Sequence, residues 1–179
     1  MASRIETGLN SGMFDAQGHG DAQRIKNSLG IDTDVDYAKI FTENLGLTAE
    51  ELRQFSQDLR HPLVNNMTVN STVNPVVTDG NTYVIEVGYK PGVMDPEGRS
   101  AKKLAELVHG SDIPFDRKVS VQHQRRIRST VPLTDIQLRK IAGLFYNETV
   151  QNYRIFSAED LERGVAPYMP EVRLPKPEP

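Results

Sequence analysis

The strongest constraint on this chain is an internal repeat. Residues 4–18 read RIETGLNSGMFDAQG and residues 84–98 read VIEVGYKPGVMDPEG. At an offset of 80, Ile5, Glu6, Gly8, Gly12, Asp15 and Gly18 recur as Ile85, Glu86, Gly88, Gly92, Asp95 and Gly98. A later block, 47–69, recurs at an offset of 86 as 133–155, with Leu47/Leu133, Thr48/Thr134, Leu52/Leu138, Arg53/Arg139, Val64/Val150 and Asn66/Asn152 identical. The second copy therefore carries six extra residues in its middle. Self-similarity at a fixed period means that one supersecondary unit is used twice. The expected organisation is a first unit over 1–70, a polar linker over 71–81, a second unit over 82–156, and a short helix with a proline-rich tail over 157–179. One unit of roughly 70 residues buries little core. Two copies are therefore expected to pack about a pseudo-twofold axis, as a homodimer would.

Periodicity supplies the elements. Residues 83–89 alternate and are rich in Tyr, Val and Ile, which reads as a strand. Ala101, Leu104, Ala105 and Val108 then recur at helical spacing with Gly110 at the C-terminal cap, as Ala22, Ile25 and Leu29 do before Gly30. In RKVSVQHQRRIRSTVPL, Val119, Val121, Ile127 and Val131 share one face. Ser120, Gln122, Arg126, Arg128 and Thr130 share the other, which reads as a long strand with one wet face. Thr48 to Glu51 and Thr134 to Gln137 are capping boxes. Helices follow, with Leu52, Phe55, Ser56 and Leu59 inward in one copy and Leu138, Ile141, Ala142 and Phe145 in the other. Short strands over 64–69 and 150–156 close the two units, and Ser157 to Asp160 starts one more helix. The fold class is α+β: strand, helix, long strand or hairpin, helix, strand, with the helices on one face of a mostly antiparallel sheet. The tail from Val165 reads as extended and weakly anchored.

Composition narrows the chemistry. With 21 Lys and Arg against 24 Asp and Glu the net charge is −3, which argues against a general nucleic-acid binder. The two parts differ: residues 1–80 carry 6 basic and 11 acidic side chains, residues 81–179 carry 15 and 13. No apolar run is long enough for a membrane helix, the N-terminus has no secretory core, and there is no cysteine, so a cytoplasmic protein without disulfides is expected. His19, His61, His109 and His123 lack ligand spacing, so no metal is expected. Neither a GxSxG elbow nor an SxxK pair is present, and GHG at 18–20 is not a phosphate loop. In QRRIR, Arg126 and Arg128 are expected on a solvated or interface face with Arg125 opposite. No catalytic residues are expected.

The repeated loop carries two readings, and the sequence leaves both open. As a turn, Gly8, Gly88, Gly12 and Gly92 permit unusual dihedrals while Asp15 and Asp95 cap the following helices. As a site, it is an exposed strand-to-helix crossing that faces a partner or an anion.

VIEVGYKPGVMDPEG followed by helix, long strand, helix and closing strand resembles the PurS subunit of phosphoribosylformylglycinamidine synthase, whose members run a strand into KPGV-x-DP-x-G ahead of a helix. The first copy matches more weakly, because Ser11 and Ala16 replace the two prolines. The tandem layout resembles the N-terminal region of long bacterial forms of that synthase. The resemblance implies a noncatalytic component of purine synthesis that bridges a glutaminase and a large synthetase and helps ammonia pass between them. It implies that ATP, magnesium and glutamine are used by the assembled complex, with no cofactor bound by this chain. Glutamine hydrolysis needs a cysteine nucleophile, which the chain lacks. The partner contact is expected at Pro91, Gly92, Val93, Asp95, Pro96 and Gly98, with Gly12, Asp15 and Gly18 as counterparts. The expected partners are those two enzymes, with self-association also compatible and neither nucleic acid nor membrane involved. Tandem α+β units with a PG loop also resemble ACT-type regulatory modules, which bind amino acids between paired domains. A plain self-assembling scaffold is the third class.

Overall fold

The computed structural model describes residues 2–10, 12–60, 65–71 and 81–171. Val64, linker residues 72–80 and tail residues 172–179 lie outside them. The order is β1 (Ser3–Leu9), α1 (Ala16–Leu29), β2 (Thr33–Glu43), α2 (Ala49–Asp58), β3 (Asn65–Val69), β4 (Thr82–Tyr89), α3 (Pro96–His109), β5 (Val119–Ser129), α4 (Asp135–Gly143), β6 (Gln151–Ser157) and α5 (Ala158–Glu162). The strands form one open antiparallel sheet in the order β3-β1-β2-β5-β4-β6. The α+β class is thus present as a single six-stranded sheet with five helices among the described residues. No helix among those residues is long and apolar enough to cross a membrane.

Local chemistry sets the helix ends. Both capping boxes form, Thr48 with Glu51 and Thr134 with Gln137, and a third joins Ser157 to Asp160. Gly30 and Gly110 close α1 and α3 in the left-handed conformation that the missing Cβ makes accessible. The long β5 is one strand and not a hairpin, and it pairs with β2 along eleven positions, from Thr33–Ser129 to Glu43–Val119.

Alternation along the strands divides the sheet into two faces. One face meets the helices and holds two apolar clusters. The first joins Ile5, Phe41 and Phe55 to Ala101, Ala105 and Val121; the second joins Ile25 and Val35 to Ile85, Ile127, Leu138 and Ile141. Each cluster draws on residues from both sides of the linker. Along β2 and β5 a polar strip separates them, made of Tyr37, Lys39, His123 and Arg125. Arg125 Nε donates to Asp21 Oδ2 at 2.8 Å, Lys39 Nζ pairs with Glu97 Oε2 at 2.5 Å, and Tyr37 hydrogen-bonds His123 Nδ1.

The opposite face corrects the sequence reading. Ser120, Gln122 and Arg126 are buried and not wet, with Arg126 only 1% exposed. They lie among Arg4, Glu6, Ala38, Ile40, Thr42, Val84, Glu86 and Gln124, all inaccessible. Polar alternation marked a network and not solvent. Glu86 accepts from Arg4, from Gln124 at 3.0 Å and from Arg154 at 2.9 Å, while Gln122 Oε1 accepts from Thr42 at 2.9 Å. Mutual hydrogen bonds of this kind offset the cost of burying polar groups, although Arg4 Nε and Nη1 are buried without a hydrogen-bond partner among the described residues. Arg128 is half-buried between Asp34 and Asp36 rather than free. Val131 falls beyond β5 and is exposed. Phe145 lies past the end of α4 but still packs against the second cluster.

The tail also departs from expectation. As far as Glu171 it is anchored: Arg154 lies over the Tyr168 ring at 4.8 Å, Pro170 is buried, and the Pro170 carbonyl accepts from Lys118 Nζ.

Candidate functional site

The site is the crossing from β4 to α3. Lys90, Pro91, Gly92 and Val93 form a turn closed by Val93 N–H donating to the Lys90 carbonyl at 3.1 Å. Gly92 sits at φ +81°, the third turn position where a type II turn excludes a Cβ, and Pro91 presets φ at the second. The first copy repeats the bond from Met13 N–H to the Asn10 carbonyl at 3.1 Å, with Gly12 at φ +84°.

Asp95 joins two elements. Gly98 N–H donates to Asp95 Oδ1 at 2.8 Å, which caps α3; Val121 N–H donates to Oδ2 at 2.7 Å. The β4–β5 ladder ends at Gly88–Gln122, so the carboxylate takes the amide that β4 leaves when it departs. Asp15 does the same, accepting from Gly18 and Tyr37 N–H groups at 2.7 Å each. Gly98 and Gly18 are then fixed by space. A Cβ on Gly98 would lie 2.2 Å from the Val119 carbonyl oxygen, and one on Gly18 would lie 2.0 Å from that of Val35. Gly8 and Gly88, read as dihedral pivots, are strand positions without positive φ; a Cβ on Gly88 would lie 3.0 Å from Gln122 Cγ.

These bonds hold the loop from behind. Pro91, Gly92, Met94 and Pro96 face outward, Val93 and Asp95 are half-buried, and Gly98 is buried. Pro91 to Gly98 therefore form one contiguous loop, while Gly12, Asp15 and Gly18 belong to the separate crossing from β1 to α1.

Beside the loop lies a cleft of about 500 Å³ between α3 and the start of β5. Lys90, Arg99, Lys102, Lys103, Arg117 and Lys118 line it, with Phe115, 96% exposed, also on its wall. No residue expected at a site from the sequence is among these cations. A signal was present: Arg99, Lys102 and Lys103 recur at the i, i+3, i+4 spacing of one helix face.

In the polar strip, burial lowers the pKa of His123 against the pull of Glu97, whose Oε1 lies 3.3 Å from Nε2. Burial pushes the Tyr37 phenol up to about 12; it hydrogen-bonds His123 Nδ1, while Nε2 faces Glu97. Sequence spacing gave no hint of this carboxylate, nor of Glu51, 3.0 Å from His109 Nδ1. Among the described residues no group of three His, Asp or Glu side chains could hold a metal ion. No protein-family model matches the chain, and a search of curated proteins returns no match.

Proposed function

We propose that this chain is a noncatalytic PurS-like component of phosphoribosylformylglycinamidine synthase, bridging a glutaminase and an ATP-driven synthetase so that ammonia passes between them. The observation that carries the reading is the loop from Lys90 to Gly98. Asp95 and Gly98 secure its base, whereas Pro91, Met94 and Pro96 face outward, Met94 Sδ accepting from Arg99 Nη1 at 3.0 Å. An outward, rigid, partly apolar loop suits a docking role.

Two further observations support the paired-unit form of the proposal. Asp15 and Asp95 reach Tyr37 and Val121, an offset of 84 that also pairs Lys39 with His123, its own counterpart, in the β2–β5 ladder. Self-pairing of counterparts is what a pseudo-twofold through that ladder requires. The outer pairings agree, since Ile5 meets Phe41 and Val69 while Ile85 meets Arg125 and Ile155. The chain also has no cysteine with which to hydrolyse glutamine, which accords with that step falling to a partner.

The test is a pull-down from the source organism's extract with glutamine and Mg-ADP present. Recovery of a cysteine-dependent glutaminase together with a large ATP-binding synthetase is the expected result. Recovery of neither, with thermal stabilisation by an amino acid, would replace the proposal with a regulatory module, because a ligand that binds only the native state raises its melting temperature.

A further inference from the structure

We infer that the cleft beside the Lys90–Gly98 loop is a binding site for a small phosphate ester carrying a planar ring, of nucleotide size. The inference is independent of the bridging role. Its volume of about 500 Å³ falls within the range of small-molecule sites.

The first argument is charge. Lys90, Arg99, Lys102, Lys103, Arg117 and Lys118 line the cleft, and none forms an ion pair with a described carboxylate. Elsewhere Arg4, Lys26, Lys39, Arg53, Arg125, Arg128, Arg154 and Arg163 do, whereas Arg24, Arg60, Arg139 and Lys140 form none with a described carboxylate; among the described residues, only at this cleft do several such cations share one concave wall. The two carboxylates on the wall are already engaged: Asp95 accepts from Gly98 and Val121, and Glu106 accepts from Ile113 N–H at 3.2 Å. Lys90, Lys102 and Lys118 rest on the carbonyls of Glu148, Pro114 and Pro170, and Arg117 Nη1 donates to the Leu45 carbonyl at 3.0 Å; each keeps further N–H donors for an anion. Six cations against two carboxylates leave a local charge of +4 in a chain of net charge −3.

The second argument is that the counterpart crossing carries no such positive excess. The first copy has a cleft of about 470 Å³ at the same place beside α1. At the offset of 80, Arg99, Lys102 and Lys103 correspond there to His19, Ala22 and Gln23, and Glu106 corresponds to Lys26. Asp32, Asp34 and Asp36 complete its wall. The same crossing is thus built with the opposite charge in the first copy, so the strand-to-helix crossing itself does not require the positive excess.

The third argument is the apolar wall. Phe115 is 96% exposed, and Met94, 61% exposed, also lines the cleft. An aromatic face beside cations offers a ring a stacking surface while its phosphates meet Lys and Arg. A flat acidic protein surface would use the charges but would leave a concave, ligand-sized space unfilled.

The test is titration calorimetry on the full chain with ADP, inorganic pyrophosphate, adenosine and a glutamate-rich peptide. ADP and pyrophosphate are expected to bind, with affinity falling as salt rises, and adenosine is not. Lys102→Ala with Lys103→Ala is expected to weaken ADP on the order of tenfold or more. Phe115→Ala should weaken ADP but not pyrophosphate. Lys140→Ala, an exposed cation on α4, should change neither. Circular dichroism of each variant checks that it is folded. Absence of ADP binding at millimolar concentration overturns the inference, as does equal binding of adenosine or equal weakening by Lys140→Ala. Binding of the peptide in place of ADP would assign the cleft to an acidic protein segment instead.

Discussion

Asp95→Ala removes one side chain and opens two junctions. Its carboxylate caps α3 through Gly98 N–H and takes the Val121 N–H that β4 no longer pairs. Loss of an N-cap costs about 1 kcal/mol. Stranding an N–H at a position as buried as Val121 costs about 1–3 kcal/mol more. The sum is about 2–4 kcal/mol, and each kilocalorie shifts the melting temperature of a chain this size by about 2–4 °C. Asp95→Asn keeps one acceptor oxygen but presents an amide NH₂ to the other donor, so about half the loss is expected. Asp15→Ala loses two bonds of the same kind but should cost somewhat less, because Tyr37 is less buried than Val121. Urea unfolding followed by circular dichroism at 25 °C measures all three. A loss below about 0.5 kcal/mol for Asp95→Ala, the range of an unconstrained surface change, would refute the claim that one carboxylate secures both junctions.

Met94→Ala, on the exposed rim, should leave stability within about 0.5 kcal/mol yet weaken capture of the synthetase and glutaminase, read by the pull-down; unchanged capture would remove the loop from the interface. Glu86→Ala takes a buried carboxylate from between Arg4, Gln124 and Arg154 and should cost about 3–5 kcal/mol in urea unfolding, since a charge left buried without its partner is expensive. His123 holds its proton less tightly when folded than its ordinary value of 6.5. The unfolded chain therefore protonates first, so stability is complete above that value and falls as pH drops through it toward the folded pKa. His123→Gln should flatten that part of the stability profile, and an unaltered slope would assign it to other groups. Residues 1–71 and 81–179 produced separately should each fail to give a cooperative unfolding transition, because both apolar clusters draw on both parts; mixing them should restore it.

Much of the fold was legible because it is local. Capping boxes, the Gly30 and Gly110 caps and the Asp15 and Asp95 N-caps follow from neighbours a few residues apart, and the structure places each where the sequence does. What escaped is long-range. Nothing local says that β2 pairs with β5 and fuses the units into one sheet, nor that α1 packs with α4 residues and α2 with α3 residues in shared clusters. The polar side of β5 was misjudged for a physical reason. Alternation reports which face a side chain takes, and it cannot distinguish water from Glu86 and Thr42 as the hydrogen-bond partner of Gln124 and Gln122. The glycines were half legible: Gly12 and Gly92 serve the turn as expected, while Gly18 and Gly98 answer to carbonyls 17 and 21 residues further along the chain, at Val35 and Val119.

The central claim concerns transfer of ammonia between two other proteins, and reconstitution tests it most directly. The synthetase and glutaminase recovered with the chain would be assayed with and without it, using either glutamine or free ammonia as nitrogen source. The account predicts that the chain raises the glutamine-driven rate and leaves the ammonia-driven rate unchanged, since it would supply coupling and no chemistry. A glutamine-driven rate that is the same without the chain would contradict the bridging role.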